Sequence, residues 1–300
     1  MCIICDGNYD VNMVSLDCSK CFCITCIPEL PLLTSLTCYE CLVLTFIPNL
    51  PLLTYLDCYA CSSLTFIPKL PLLTQLDCRN CPLINLPELP LLTELDCSHC
   101  QNLNSIYELP LLTKLYCYDC QSLTSIHNLP LLTDLHCAHG QLLTQIPHLP
   151  LLIELDCGHC PLLTQIPNLP QLTALACAET GLTSISNLPV LSGNIDCAYC
   201  PLLTHITNLP LVTFVNCLGC PLLNTIYNLP LLTDLICGNC PFLYLSNKIG
   251  SKYNMRQNTL INKIRWLQIK TKRKFKTKIS SIIYDNTNFY PVLIDIIANY

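Results

Sequence analysis

Apolar side chains recur along residues 11–245 in one fixed frame. Its clearest copy reads Leu-x-x-Leu-x-Cys-x-x-Cys-x-x-Leu-x-x-Ile over residues 53–67, with polar residues between the apolar ones. A Leu-Pro step precedes each copy, and its proline recurs at Pro31, Pro51, Pro71, Pro90, Pro110, Pro130, Pro150, Pro170, Pro189, Pro210 and Pro230. A fixed period of about twenty residues indicates a stacked array, in which each unit covers the apolar edge of its neighbour.

Within each unit, the alternation x-Leu-x-Cys-x predicts one short strand with side chains pointing in and out by turns. Stacking the units in register predicts a parallel sheet of twelve strands along one face. The opposite side of each unit carries an Ile-Pro-x-Leu-Pro step, as over residues 166–170. Because proline has no N–H donor and favours extended conformations, we predict an irregular outer wall rather than a helical one.

This frame resembles a leucine-rich repeat of the cysteine-containing kind, with Cys61 at the position where the family has Asn or Cys. It is similar to the short repeats of bacterial effectors and giant DNA viruses. The resemblance implies a solenoid whose curved parallel sheet lines a concave, protein-binding face. We therefore divide the chain into an N-terminal cysteine-rich cap with the first repeat (1–30), the leucine-rich repeats (31–245) and a C-terminal helical cap or tail (246–300).

Twenty-two of the 26 cysteines fall on two positions of the repeat. The first position is occupied by Cys18, Cys38, Cys58, Cys78, Cys97, Cys117, Cys137, Cys157, Cys177, Cys197, Cys217 and Cys237. The second lies three residues later and is cysteine except at Gly140 and Thr180. A reduced cysteine is a small apolar group with a weak S–H donor. We interpret both sets as packing ladders of free thiols, the second able to meet turn carbonyls as an Asn would.

Four further cysteines lie outside the repeat frame, in two Cys-x-x-Cys pairs: Cys2 with Cys5, and Cys23 with Cys26. Four thiolates are the ligand set of a closed tetrahedral zinc site, so a structural zinc is one interpretation and an unmetallated solenoid end is another. Residues 2–41 also resemble a RING finger. The resemblance implies one zinc on these four cysteines and a second on Cys18, Cys21, Cys38 and Cys41. Lys20 replaces the family's usual histidine, and Tyr39 replaces its usual proline.

The exposed strand positions combine acidic and aromatic side chains, which predict a surface for a basic protein or peptide. The candidate partner-binding residues are Tyr39, Tyr55, Asp57, Tyr59, Asp77, Glu94, Asp96, Tyr116, Tyr118 and Asp156. Asp57, Asp77 and Asp96 fall on consecutive strands, and like charges at that spacing destabilise a sheet unless a counter-charge is present. The alternative interpretation is a solvated column left by repeat duplication. Histidines also gather there, at His99, His136, His139 and His159. We interpret them as surface side chains in a variable turn position, and the alternative is a cluster that ligates a transition metal.

The formal charge of −5 hides two opposite parts. Residues up to 245 carry 18 acidic and 4 basic side chains, whereas residues 246–300 carry 2 acidic and 11 basic ones. After a polar linker over 246–258, apolar residues at helical spacing predict a basic amphipathic helix over 259–283. Such a helix serves as an end cap, or binds calmodulin-like proteins, membrane surfaces or nucleic acid. A basic tail could also fold back onto the acidic repeats.

No apolar run is long enough to span a bilayer, and residues 1–10 lack the pattern of a signal peptide. No catalytic constellation stands out along the chain. We therefore expect an intracellular, cytoplasmic scaffold for protein–protein interactions without catalysis. The Asn-, Ile-, Lys- and Tyr-rich tail suggests a viral protein, which would act in the host cytoplasm. The alternative function is a RING-like component of an E3 ubiquitin ligase, with the repeats as substrate receptor.

Overall fold

The computed structural model describes residues 2–245 and 254–256, which form nineteen short strands. In chain order they are β1 Ser15–Asp17, β2 Ser35–Thr37, β3 Tyr55–Asp57, β4 Gln75–Asp77, β5 Glu94–Asp96, β6 Ser105–Ile106, β7 Lys114–Tyr116, β8 Ser125–Ile126, β9 Asp134–His136, β10 Glu154–Asp156, β11 Ala174–Ala176, β12 Ser184–Ser186, β13 Ser192–Asp196, β14 His205–Thr207, β15 Leu211–Asn216, β16 Thr225–Tyr227, β17 Asp234–Ile236, β18 Tyr244–Leu245 and β19 Asn254–Arg256. The order of these strands defines a solenoid, in which successive turns of the chain stack on one another.

One strand from each turn joins a thirteen-stranded sheet in which every pairing is parallel. Its order is β1-β2-β3-β4-β5-β7-β9-β10-β11-β13-β15-β17-β19. The register places the central leucine of one strand opposite that of the next, as for Leu36, Leu56 and Leu76. Because these leucines are buried and their neighbours on either side are not, the alternation predicted from the sequence is confirmed.

A second set of strands lies on the outer wall, where the sequence predicted irregular structure. β12, β14, β16 and β18 form a four-stranded parallel sheet, and β6 pairs with β8. These strands occur in the turns in which the proline after the outer isoleucine or leucine is replaced, for example by His127 or Thr207. The N–H of His127 donates to the carbonyl of Ile106 at 2.9 Å, a bond that proline cannot make. The outer wall is therefore irregular only where proline is present.

The buried core is one continuous stack of Leu, Ile and Cys side chains running from Leu16 to Leu243. Thiols of the second ladder donate to the first-ladder carbonyl of the preceding turn, as Cys61 does to Cys38 at 3.0 Å. The same bond recurs from Cys120 to Cys97 at 3.1 Å. The predicted role of these thiols as partners of turn carbonyls is thus confirmed. A ladder that the sequence analysis missed runs through threonine hydroxyls, with Thr54 donating to the carbonyl of Thr34.

A sharp turn follows each strand of the main sheet from β1 to β17, and one residue of that turn has a positive φ. Ala60 (φ 56°), His139 (φ 62°) and Glu179 (φ 57°) are examples, and Gly219 (φ 71°) takes the same position in a later turn. The N–H of this residue donates to the next turn, as from Ala60 to the carbonyl of Arg79 at 2.8 Å. The left-handed conformation is therefore tied into the ladder of inter-turn hydrogen bonds.

No helix occurs among residues 2–245 and 254–256. β19 lies inside the segment predicted to be a linker and pairs in parallel with β17, adding a thirteenth strand to the twelve predicted. The basic helix predicted over 259–283 lies outside the described residues, so its contacts with nucleic acid, membrane surfaces or the repeats stay predictions. In the part of the chain that the structure describes, no helix is long and apolar enough to cross a membrane.

Candidate functional site

The exposed side of the main sheet gathers the predicted partner-binding residues on one surface, which we call the sheet face. Asp57, Asp77 and Asp96 lie directly opposite one another in β3, β4 and β5. The same column continues through Tyr116 and His136 in β7 and β9 to Asp156 in β10; it is named here the post-leucine column. The remaining candidates lie beside it. Tyr55 and Glu94 precede the leucine in their strands, and Tyr39, Tyr59 and Tyr118 follow the first-ladder cysteine.

The aspartates of the post-leucine column have a local structural role that sequence reasoning missed. The Oδ1 atom of each accepts a hydrogen bond from the backbone N–H two residues later. Asp57 accepts from Tyr59 at 3.1 Å, and Asp156 accepts from Gly158 at 3.1 Å. Asn216 makes the equivalent bond through its amide oxygen. Such Asx turns explain why aspartate recurs in the repeat whether or not a partner binds there.

Arg79 supplies the counter-charge that the three consecutive aspartates require. Its Nε lies 3.0 Å from both Oδ atoms of Asp77, and its Nη2 lies 2.6 Å from Oδ2 of the same carboxylate. Asp96 lies 3.5 Å from the Nε on the other side. The guanidinium also packs over the Tyr59 ring, 5.0 Å from its centroid. The face thus holds one arginine between two carboxylates and an aromatic ring, a favourable setting for this side chain.

Asp57 lies outside this arrangement and stays partly uncompensated. Burial raises the pKa of Asp57, and the neighbouring charge of Asp77 acts in the same direction. The hydrogen bond from the N–H of Tyr59 and the more distant Arg79 oppose that rise. A cation brought near Asp57 would therefore stabilise its carboxylate.

Rings contact one another across four consecutive turns farther along the face, two of the contacts being edge-to-face and the third stacked. His99, Tyr118, His139 and His159 follow one another with centroids 5.3, 4.9 and 4.1 Å apart. Tyr116 and His136 form a parallel stacked pair at 5.0 Å in the post-leucine column. The two rows make a surface of aromatic rings. Among the described residues, these histidines do not form a group that could hold a metal ion.

Carboxylates flank these rings. His99 Nδ1 lies 3.1 Å from Asp119, and His159 Nδ1 lies 3.1 Å from Glu179. Burial acts to raise the pKa of Asp119, but hydrogen bonds from Gln121, His99 and Gln101 outweigh it and hold the pKa below its usual value. Asp119 is therefore ionised at the edge of the aromatic surface.

The N-terminal cysteines come together in a set that differs from the predicted one. The Sγ atoms of Cys2, Cys5 and Cys21 all lie within 4.8 Å of one another, and among the described residues they are the group arranged to hold a metal ion. Cys23 and Cys26 are exposed and are not members of this group. Cys21 was missed because it occupies the second-ladder position, and the repeat frame had already accounted for it.

Hydrogen bonds give Cys21 the character of a thiolate. Its Sγ lies 3.2 Å from that of Cys5. Burial, the largest influence, acts to raise its pKa, but the N–H groups of Cys23 and Ile24 and the thiols of Cys5 and Cys2 together lower the pKa of Cys21 to about 7. The same bond to Cys21, with burial, raises the pKa of Cys5 to about 12. A metal ion would compete with these protons for the sulfur atoms.

The second zinc cluster implied by the RING resemblance is not assembled. Cys38 and Cys41 are fully buried in the ladders, and Cys41 donates to the carbonyl of Cys18 at 3.1 Å. Cys18 itself points to the carbonyl of Thr37 at 3.8 Å. The cysteines that a cross-braced finger would need are thus part of the solenoid core.

The stacked turns, central leucines and buried thiol ladders give this chain the fold of a cysteine-containing leucine-rich repeat protein. No family model matches it, and no curated protein matches its sequence. Among solved structures it is similar to the functional domain of InlJ from Listeria monocytogenes, described as including a cysteine ladder, with 24% identity and a TM-score of 0.52. The match covers 83% of this chain and 65% of that one, so the chain spans just under two thirds of the InlJ domain.

A leucine-rich repeat protein from Bacteroides ovatus is also similar, with 14% identity and a TM-score of 0.48, over 77% of this chain and 73% of that chain.

Proposed function

We propose that the protein is a non-catalytic scaffold that binds a partner protein on the sheet face. The observation that carries the proposal is the continuous surface of rings and carboxylates across β5, β7, β9 and β10. Aromatic side chains supply large contact area at low conformational cost, and carboxylates around them select a partner of opposite charge. The partner is therefore expected to present a basic surface.

Arg79 supports this choice of partner. It shows how the sheet face accommodates a guanidinium, with bidentate contact to Asp77 and packing on Tyr59. Three turns farther on, Ala138 occupies the sequence position that Arg79 takes in its own turn, between Tyr118 and Asp156 in the neighbouring turns. An arginine from a partner could pack over that small side chain and meet the ring and the carboxylate together.

The test uses charge reversals that spare the turn-forming aspartates. The double variant Glu94→Lys/Glu154→Lys changes the sheet face, whereas Glu88→Lys/Glu108→Lys makes the same change of charge outside the strands of that face. Partners captured by the wild type are identified, and their dissociation constants are then measured with both variants. We expect the first variant to weaken binding at least tenfold and the second to leave it within twofold. Equal binding by all three proteins would contradict the proposal.

We place this role inside a cell, in the cytoplasm or in the host cytoplasm for a viral protein. Free thiols in long buried ladders suit a reducing compartment, where disulfides are rare. Fractionation of cells that express the protein with its natural N-terminus tests the assignment, and recovery from the secreted fraction would contradict it.

The RING-like ubiquitin-ligase component is the weaker alternative, because the cysteines of its second cluster are committed to the core. An autoubiquitination assay with a panel of E2 enzymes tests it directly. We expect no ubiquitin conjugates; their formation in a manner dependent on Cys2 would reinstate the ligase.

We also propose that the N-terminal cap holds a structural metal ion, because three cysteine side chains converge there. This proposal concerns stability and is independent of what binds on the sheet face.

A further inference from the structure

Residues 2–13 fold as a cap over the open end of the solenoid. Ile4, Tyr9 and Met13 pack against the core cluster, together with Cys2 and Cys5. Backbone bonds from Asp6 to Cys2 and from Gly7 to Ile4, both 3.1 Å, hold the first residues in a tight turn. This turn presents Cys2 and Cys5 on the side that faces the first repeat.

Cys21 meets them from the first repeat itself. The Sγ atoms of Cys2 and Cys5 lie 3.5 Å apart, and those of Cys5 and Cys21 lie 3.2 Å apart. Cys21 lies sixteen positions after Cys5 in the sequence. Potential metal ligands from the cap and from the repeat array thus meet at these three thiols.

We propose that Cys2, Cys5 and Cys21 bind one zinc ion as thiolates and leave its fourth position to solvent. This inference rests on the structural metal ion proposed above and names its identity, its ligands and its open position. Among residues 2–245, the structure brings no fourth His, Cys, Asp or Glu side chain into the group.

Zinc fits the chemistry and the size of the group. Thiolates are preferred by Zn²⁺ over the harder cations, and zinc takes up to four of them in tetrahedral geometry at about 2.3 Å. A tetrahedron of that size separates neighbouring sulfur atoms by about 3.8 Å. The observed separations of 3.2 and 3.5 Å therefore need to open by only a few tenths of an ångström.

The three sulfur atoms lie at the boundary between the core and solvent. Cys21 is buried, whereas Cys2 and Cys5 are half-buried, which leaves one side of the group open to solvent.

The ion would clip the cap to the first turn. A solenoid exposes apolar core at its ends unless a cap covers it, and here the core begins at Leu16 and Cys18. Three bonds to one ion would hold the cap over these residues more firmly than its apolar contacts and the thiol contact between Cys5 and Cys21 do. Zinc removal should therefore open the N-terminal end first and leave the distant turns folded.

The experiment measures zinc per chain in the full-length protein, purified in reductant without added metal. Cys2→Ser and Cys5→Ser test the proposed ligands, and Cys23→Ser and Cys26→Ser serve as matched controls, because those two cysteines are exposed and close in sequence. We expect about one zinc in the wild type and in both controls, and less than about one fifth of that in each ligand variant. Hydrogen exchange of residues 2–26, with and without a chelator, reports whether the cap opens.

X-ray absorption at the zinc edge counts the ligands. Three sulfur atoms and one oxygen or nitrogen, with faster exchange confined to the N-terminal end after chelation, are the expected results. Four sulfur atoms, with zinc lost from a control variant, would overturn the three-cysteine site while leaving a metal-bound cap in place. A wild-type protein that contains no zinc and takes up none on titration would overturn both the three-cysteine site and the metal-bound cap. That result would not bear on the proposal for the sheet face.

Discussion

Single residues of the sheet face combine two roles that are separable by substitution. The post-leucine aspartates accept a turn N–H through Oδ1, and their charge is a second property that the turn does not need. Asn216 shows this within the same chain, since its neutral amide accepts the N–H of Leu218 at 3.3 Å. A residue in this column can therefore be recurrent for structural reasons while only some of its copies bind a partner.

Asp156 allows the two roles to be measured apart. We expect Asp156→Asn to keep the turn and leave stability within about 0.5 kcal/mol, because the amide oxygen can still accept from Gly158. Asp156→Ala removes the acceptor and should cost about 0.5–1.5 kcal/mol. Urea denaturation measures the difference, and equal losses in both variants would contradict the turn assignment. If the carboxylate also contacts a partner, the Asn variant should lose affinity without losing stability.

Cys120 tests the second thiol ladder in the same way. Its thiol is fully buried and donates to the carbonyl of Cys97. Cys120→Ala leaves a small cavity and removes one of the two hydrogen bonds that the Cys97 carbonyl accepts, the other coming from the N–H of Cys100, so we expect a loss of about 1–2 kcal/mol. Cys23→Ala, at an exposed cysteine, should change stability by less than about 0.5 kcal/mol in the same denaturation assay. A loss at Cys120 no larger than that at Cys23 would show that the ladder bonds contribute nothing.

The residue scale also marks where the sequence was insufficient. The period placed every buried leucine and thiol, because a repeat frame specifies burial directly. It could not place Cys21 beside Cys2 and Cys5, since the path of residues 6–15 has no counterpart in the repeat. Nor did it identify Arg79 as the counter-charge, although an arginine two residues after Asp77 on the exposed face was a readable signal.

At the scale of elements, proline decides what the outer wall becomes. The turns that contain β6, β8, β12, β14 and β16 have a non-proline residue after the outer isoleucine, and each contributes an outer strand. The turns with Ile-Pro at that position, such as those at Pro147 and Pro167, contribute none. The sequence was interpreted as if every turn had this proline, so an irregular wall was predicted throughout. The exceptions follow from the single N–H that proline lacks.

His127 provides a test of this rule with a matched control. His127→Pro deletes the N–H that donates to Ile106 and should abolish the β6–β8 pairing, at a cost of about 0.5–1.5 kcal/mol beyond that of His127→Ala. The alanine variant removes the ring that stacks on Tyr107 at 5.2 Å but keeps the N–H. Denaturation midpoints of the two variants give the difference. Equal stability, with unchanged hydrogen exchange over residues 125–127, would contradict it.

At the scale of the whole molecule, the turns share one core but differ in their exposed side chains. The core is nearly identical from turn to turn, whereas the sheet face changes from tyrosines and aspartates around β3 and β4 to stacked rings around β7 to β10. The fold therefore follows from what the turns share, and the binding proposed for the sheet face would depend on what distinguishes them. The fold was predictable because sharing is visible as a period; the surface was predictable only as a set of columns, because ring stacking and ion pairing depend on side-chain geometry.

All turns contribute thiols to the ladders, and the number of reactive thiols can be measured. None of the 26 cysteines forms a disulfide, and most are buried in the ladders. Burial raises the pKa of thiols such as Cys157, Cys177 and Cys197, so they hold their protons and resist a thiol-specific disulfide reagent. In the folded, metal-free protein we expect Cys23 and Cys26 to react fastest, Cys2 and Cys5 next, and the 22 buried cysteines only on unfolding.

Unfolding in denaturant should make all 26 thiols reactive toward the reagent. The double variant Cys23→Ser/Cys26→Ser should remove only the fastest phase of the reaction with the folded protein. The ladders make this outcome cooperative, because second-ladder thiols such as Cys61 and Cys120 are covered by the turns on both sides of them. Fast reaction of many more than four thiols would mean that the turns are not packed as described. Fewer than 26 after unfolding would mean that disulfides replace the free ladder, and the reducing compartment proposed for the scaffold would then be wrong.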